Sequence, residues 1–134
     1  MKIKESIPVI DLFAGPGGLG EGFSSIGSHE KGVRKFQLRV SIEKDPVAHA
    51  TLSLRALFRA FPKGEAPEAY YQYIRGEITR EELFKHPDVP AEAVEAAQEA
   101  KLAELGKISP EEVDGWIKDA LVGADEWVLI GGPP

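Results

Sequence analysis

Apolar and polar positions change period several times along this chain. Ile7-Pro8-Val9-Ile10-Asp11-Leu12-Phe13 is a short, mostly apolar run closed by the glycine cluster Gly15-Pro16-Gly17-Gly18-Leu19-Gly20. It is too short for a helix and predicts a buried strand entering a tight loop. From Leu19 to Ile26 the spacing puts Leu19, Phe23 and Ile26 on one helical face, with Gly27 as the stop. Gly32 to Lys35 reads as a connection. Phe36, Leu38, Val40 and Ile42 then alternate with Gln37, Arg39 and Ser41, the period-two pattern of a strand, which ends at Glu43-Lys44-Asp45-Pro46. Strand, glycine turn, helix, strand and acidic end form the first half of a nucleotide-binding α/β layer.

Beyond this point the pattern is helical. Val47 to Phe61 predicts a helix bearing Arg55 and Arg59, and the composition shifts after Pro62. Ala66 to Arg75, Arg80 to Lys85, Ala91 to Leu105 and Pro110 to Leu121 all read as helices, separated by Gly76, His86-Pro87 and Gly106. Thr79 with Glu82, and Ser109 with Glu112 behind Pro110, have the spacing of capping boxes. The block from about 62 to 122 therefore reads as a mostly helical insertion. Glu126-Trp127-Val128-Leu129-Ile130 is a further short strand, running into Gly131-Gly132-Pro133-Pro134.

Composition narrows the classes. At 134 residues, with 43% apolar and 28% charged residues, the chain can bury one core as a single domain. No apolar run has membrane-spanning length and no signal-type segment follows Met1, so a cytoplasmic soluble protein is the simple expectation. A net charge of −6 argues against the whole chain being a nucleic-acid clamp. The absence of cysteine removes disulfides, thiolate metal sites and a thiol nucleophile from these residues.

The candidate chemistry lies at the strand ends. Glycines between a strand and a helix allow a tight turn and a close approach of ligand to backbone amides, which the helix N-terminus reinforces. Alone, Gly15, Gly17 and Gly20 satisfy the dinucleotide fingerprint, and a tight turn without a ligand explains them too. Glu43, at the end of the second strand, is placed to accept hydrogen bonds from ribose hydroxyls, and together with the loop it favours an adenosine-type ligand. Asp11 and Phe13 select among such ligands: an acid near the loop suits an ammonium group and repels a pyrophosphate, and an aromatic edge suits a purine. Both favour S-adenosylmethionine.

Asp11-Leu12-Phe13-Ala14-Gly15-Pro16-Gly17-Gly18-Leu19 closely resembles the first motif of the DNA (cytosine-5) methyltransferases. Glu43-Lys44-Asp45 is similar to their second motif, and Gly131-Gly132-Pro133-Pro134 resembles the opening of their fourth, in which a catalytic cysteine follows the prolines. The resemblance covers Ile7 to Asp45 and Trp127 to Pro134, and leaves out the helical block. It implies a partial S-adenosylmethionine-dependent methyltransferase sheet of Rossmann-like α/β class, with the first strand between the second and fourth. It also implies that Phe13 lies against adenine and that the amides from Ala14 through Gly15, Pro16, Gly17 and Gly18 to Leu19 line the methionine end. Glu43 would bind the ribose and Pro134 would sit near the methyl donor. Lys44 stands where the family often has an apolar residue over the adenine, and its aliphatic stem could cover the ring. No clear counterpart of the family's third-motif Asp follows Glu43, with Asp119 and Asp125 as candidates.

The family flips cytosine from DNA and attacks it with a thiolate before methyl transfer to carbon 5. The cysteine is expected after Pro134, so these residues hold no catalytic group and the chain alone should be inactive. DNA would be the partner of the complete enzyme, which could belong to a restriction–modification pair. The strand at Glu126 to Ile130 is expected to leave an edge open to self-association. Two rivals are an NAD- or FAD-binding domain and a non-catalytic methyltransferase-like binding module. Tyr70, Tyr71 and Tyr73 read as packing residues before base-stacking ones, and Arg55, Arg59 and Lys63 as a solvated stripe. His29, His49 and His86 lack metal-ligand spacing, and no metal site is expected. Val94, Leu102 and Leu105 share a helix face, and Trp116 and Trp127 read as core.

Overall fold

The computed structural model describes residues 6–26 and 34–132. Gly27, His29, the start of the Gly32 connection, Pro133 and Pro134 therefore lie outside the described residues. Four strands form one sheet: β1 (Ile7–Leu12), β2 (Phe36–Glu43), β3 (Ala100–Leu102) and β4 (Val128–Gly131). The order is β3-β2-β1-β4 and every pairing is parallel, an α/β arrangement compatible with a Rossmann-like fold. β1 sits between β2 and β4, as expected. Because all strands run the same way, their carboxyl ends share one edge of the sheet. The chain moves outward from β1 to β2 to β3 and then returns to the far side of β1, so the order reverses between β1 and β4. Open α/β sheets bind ligands at such a reversal.

The helices are α1 (Gly18–Ser25), α2 (Pro46–Arg59), α3 (Glu68–Ile74), α4 (Arg80–Phe84), α5 (Ala91–Gln98) and α6 (Pro110–Ala120). Local chemistry explains their starts. The Asp45 side chain accepts from the Ala48 amide at 2.9 Å, ahead of Pro46 at the first helical position of α2. Thr79 and Glu82 form a reciprocal capping box on α4. Ser109 caps α6 through the Glu112 amide at 3.3 Å.

Two apolar cores result. α6 covers one sheet face, where Ile10, Val40, Ile42 and Ala120 are buried with Trp116 and Ile117 packed against them. On the other side α3, α4 and α5 gather on α2 around Leu57, Ala69, Leu83, Val89, Ala93 and Ala97. Tyr70 and Tyr73 pack against this second core, in keeping with their reading as packing residues.

Four expectations are corrected. The segment from Ala91 to Leu105 is not one helix: α5 ends at Gln98 and Ala100–Leu102 becomes β3, whose neighbour Glu99 receives the Ser41 amide at 3.0 Å. The block from 62 to 122 thus contributes a strand and the covering helix α6 to the sheet itself. In β2 a register shift opposite Val9/Ile10 splits the alternating set. Phe36 meets Phe23 edge-on at 5.5 Å and Leu38 lies against Gly20 on the α1 side, whereas Val40 and Ile42 face α6. A bulge of this kind sends successive side chains of one apparent face to opposite sides. In α1 the buried residues are Gly20 and Ser24, while Leu19 and Ile26 are exposed. Trp127 is 47% exposed rather than core, because α6 covers β1 and β2 but not β4.

Candidate functional site

β1, the glycine loop, the end of β2 and the end of β4 meet at the carboxyl edge of the sheet. The loop is held by its own backbone: the Ala14 amide donates to Ile42 O at 3.0 Å and the Gly17 amide to Ala14 O at 3.2 Å. Gly17 has φ of 94°, a conformation that favours glycine, and a Cβ there would also press on Leu52 Cδ1 at 2.9 Å. A Cβ at Gly20 would meet Leu38 at 3.3 Å and Asp11 Oδ2 at 3.4 Å, which lets α1 lie close on β1 and β2. At the other strand end a Cβ on Gly131 would stand 2.8 Å from Leu12 O. Gly131 is therefore needed for close passage of β4 by β1, whatever else it does.

Glu43 ties the loop to β2. Its Oε1 accepts from the Gly15 amide at 3.0 Å and its Oε2 from the Asp45 amide at 2.8 Å. An ionised carboxylate has lone pairs for about four hydrogen bonds, so both oxygens keep capacity for a ligand hydroxyl. Beside it Phe13 is 42% exposed with φ of 54°, the one non-glycine residue at positive φ among those described. A bulky residue in the left-handed region costs on the order of 1 kcal/mol and persists where surroundings enforce it, often at functional sites. α1 begins at Gly17 without a side-chain cap. Among the described residues no protein group accepts from the Gly18, Leu19 or Gly20 amides. The expectation of a row of free amides from Ala14 to Leu19 thus shrinks to the first turn of α1, since Ala14, Gly15 and Gly17 already donate within the protein and Pro16 has no N–H.

Asp11 is placed differently from the mouth of the loop. It is 1% exposed, beneath Gly20 of α1, and neither carboxylate oxygen has a hydrogen-bond partner. Burial pushes its carboxyl up to about 6, with the Arg59 guanidinium drawing it partly back. Arg59 itself pairs with Glu21 of α1. Asp11 reaches the site through its charge, from behind the loop, and not by lining it.

Lys44 is exposed, with Nζ 4.0 Å from Glu104 Oε1. Glu104 follows β3 by two residues and so stands at the same carboxyl edge as Glu43, where Ala103 donates to Glu43 O at 3.0 Å. It escaped the sequence reading because it lay inside a segment read as helix; an acid just past a strand would have been the signal. Asp119 lies in the last turn of α6 and Asp125 between α6 and β4, which places both toward the amino edge of the sheet, away from the loop. Two clefts, of about 480 and 460 Å3, contain no loop residue; the loop end is an open rim. Among the described residues no three His, Asp or Glu side chains gather as a metal site, and no helix is long and apolar enough to cross a membrane. No protein-family model matches the chain, and no curated protein or solved structure matches it either.

Proposed function

We propose that this chain is the S-adenosylmethionine-binding part of a DNA (cytosine-5) methyltransferase. One observation carries the reading: the Gly15–Glu43 hydrogen bond, which brings the glycine turn and the acidic strand end together beside an exposed aromatic ring at the sheet's reversal point. A nucleoside fits this arrangement. The Phe13 ring offers a face to adenine, and the free lone pairs of Glu43 suit ribose hydroxyls. The amides opening α1 suit a carboxylate, helped by the helix dipole. Glu104, two residues past β3 at the same edge as Glu43, is offered as the acid for the adenine amino group in place of Asp119 and Asp125, which lie toward the amino edge.

The sulfonium ligand supplies an electrophilic methyl group when bound. The buried charge of Asp11 behind the loop favours a cationic ligand and opposes a pyrophosphate. Since the sequence holds no cysteine, it supplies no thiolate, and attack on cytosine needs a group from outside these residues.

Calorimetric titration with S-adenosylmethionine and with NAD tests the ligand. Binding of the first is expected, weakened about tenfold or more by Glu43→Gln and by Phe13→Ala; uptake of NAD alone would replace the reading with a dinucleotide domain. The reading frame beyond Pro134 tests the activity. A following cysteine, together with methylation of duplex DNA by the extended protein, is expected; extended protein that binds the nucleoside without methylating DNA would leave a binding module.

A further inference from the structure

A cleft of about 460 Å3 lies at the outer edge of β3 and shares no residue with the glycine loop. Its size falls in the range of small-molecule sites, roughly 300–1,000 Å3. α2, α4 and α5 wall it from one side of the sheet and Trp116 of α6 from the other. Phe84, Val94, Leu102 and Trp116 make the apolar wall; His49, Arg80 and Lys101 are its charged or titratable lining. No Asp or Glu lines it, in a chain whose net charge is −6. The local balance is therefore opposite to that of the molecule.

The basic groups are positioned rather than trailing in solvent. The Arg80 guanidinium stands 4.7 Å from the Phe84 ring centre and donates to Ala50 O and the Ser53 hydroxyl, which leaves other N–H groups of its fork unused. Lys101 Nζ lies 5.4 Å from the Trp116 ring centre. Among the described residues neither cation has a carboxylate within ion-pair distance. Glu99 senses the Lys101 charge but is paired with Arg39 at 3.9 Å. His49 Nε2 meets Ala100 O at 2.8 Å; a carbonyl only accepts, so Nε2 carries the proton. That contact occupies an edge carbonyl of β3 and makes the cleft a poor template for an added strand.

We propose that this cleft binds a small planar aromatic anion, an aryl carboxylate or aryl phosphate. Its ring would lie on the wall of Val94, Leu102 and the Trp116 edge, and its charge would meet Arg80 and Lys101. A charge-assisted contact from a guanidinium held by other bonds gains strength because little ordering remains to be done on binding.

The test is calorimetric titration with 1-naphthoate and 1-naphthyl phosphate, with 1-naphthalenemethanol as neutral control and inorganic phosphate as ring-free control. The two indole N–H resonances of Trp116 and Trp127 locate the site. Saturable movement of the Trp116 signal by the anionic aryl compounds is expected, with the Trp127 signal still, and the tighter of the two names the anion class. Lys101→Met and Arg80→Met should each weaken binding about tenfold, and Phe13→Ala should leave it unchanged. Should Arg80→Met lose its folded circular dichroism spectrum, Lys101→Met decides alone. Equal binding of the alcohol, equal binding of phosphate, loss of binding in Phe13→Ala, or no binding at all would each overturn the proposal.

Discussion

The start of α1 and the start of α4 are built on opposite terms. At α4, Thr79 and Glu82 satisfy each other's backbone, Leu83 is fully buried, and every local preference agrees with the fold. At α1 the N-cap is a left-handed glycine with no side chain, the residue leading into the turn is an aromatic at positive φ, and a buried carboxylate beneath the helix has no partner. Both segments are short, so length is not the difference. Left-handed strain at a non-glycine residue and a buried carboxylate without a hydrogen bond converge on one loop, and α4 shows neither. Local conflicts concentrated in this way are the mark of a site that serves something other than stability.

That contrast makes four predictions. In the helical cluster, Leu83→Ala should destabilise the chain by about 2–5 kcal/mol, because it empties a fully buried position in a packed core. Urea denaturation would show this, with S-adenosylmethionine affinity unchanged in the folded fraction; loss of affinity there would mean the two regions are not separable.

At the loop the sign turns with pH. Burial holds the Asp11 carboxyl near about 6 in the folded chain against an ordinary value of 3.8. The folded state therefore keeps the proton longer, so the group carries no penalty in acid and an increasing one as pH rises through that window. Asp11→Asn should consequently stabilise the chain at about pH 8 relative to about pH 4, by about 2 kcal/mol in the difference. Melts of both proteins at the two pH values would read it, and a pH-independent difference would show that Asp11 does not titrate in this window.

Smaller still is the effect of Phe13→Gly. Relief of the left-handed strain opposes the greater freedom of glycine in the unfolded chain, and stability should move by no more than about 1 kcal/mol. Nucleoside binding should nonetheless collapse in calorimetry; retained affinity would show that the ring is there for packing. The weakest expected effect is association through β4, whose outer edge is unpaired among the described residues, with Leu129 exposed on it and Trp127 exposed just before it. Sedimentation should find concentration-dependent dimers that Leu129→Lys reduces; a monomer at all concentrations would count against this edge as a contact.

The two regions also differed in how well they could be read beforehand. α4 announced itself through Thr79 and Glu82, and α6 through Ser109 and Pro110. Phe13, Gly15, Gly17 and Glu43 could be singled out from their places beside strands. Three properties of the same loop could not. Which amides stay free depends on Ile42 O and on Glu43 reaching back across the sheet. Which way Asp11 points depends on the face that α1 covers. Glu104 joins the site only because β3 forms.

For this protein, composition and period specify the parts: an apolar strand, a glycine turn, an alternating strand with an acidic end, and helices with their caps. Those features act over a few neighbouring residues, and a single chain segment suffices to express them. Assembly was needed for the rest. Residues 100 to 102 carry strong helix formers, yet they extend into β3 because the otherwise bare edge of β2 offers them hydrogen bonds. Which of Leu38, Val40, Trp127 and Leu129 are covered is decided likewise, by the surfaces on which α1 and α6 lie. Burial and strand pairing are contacts between distant segments, and no window along the chain contains them.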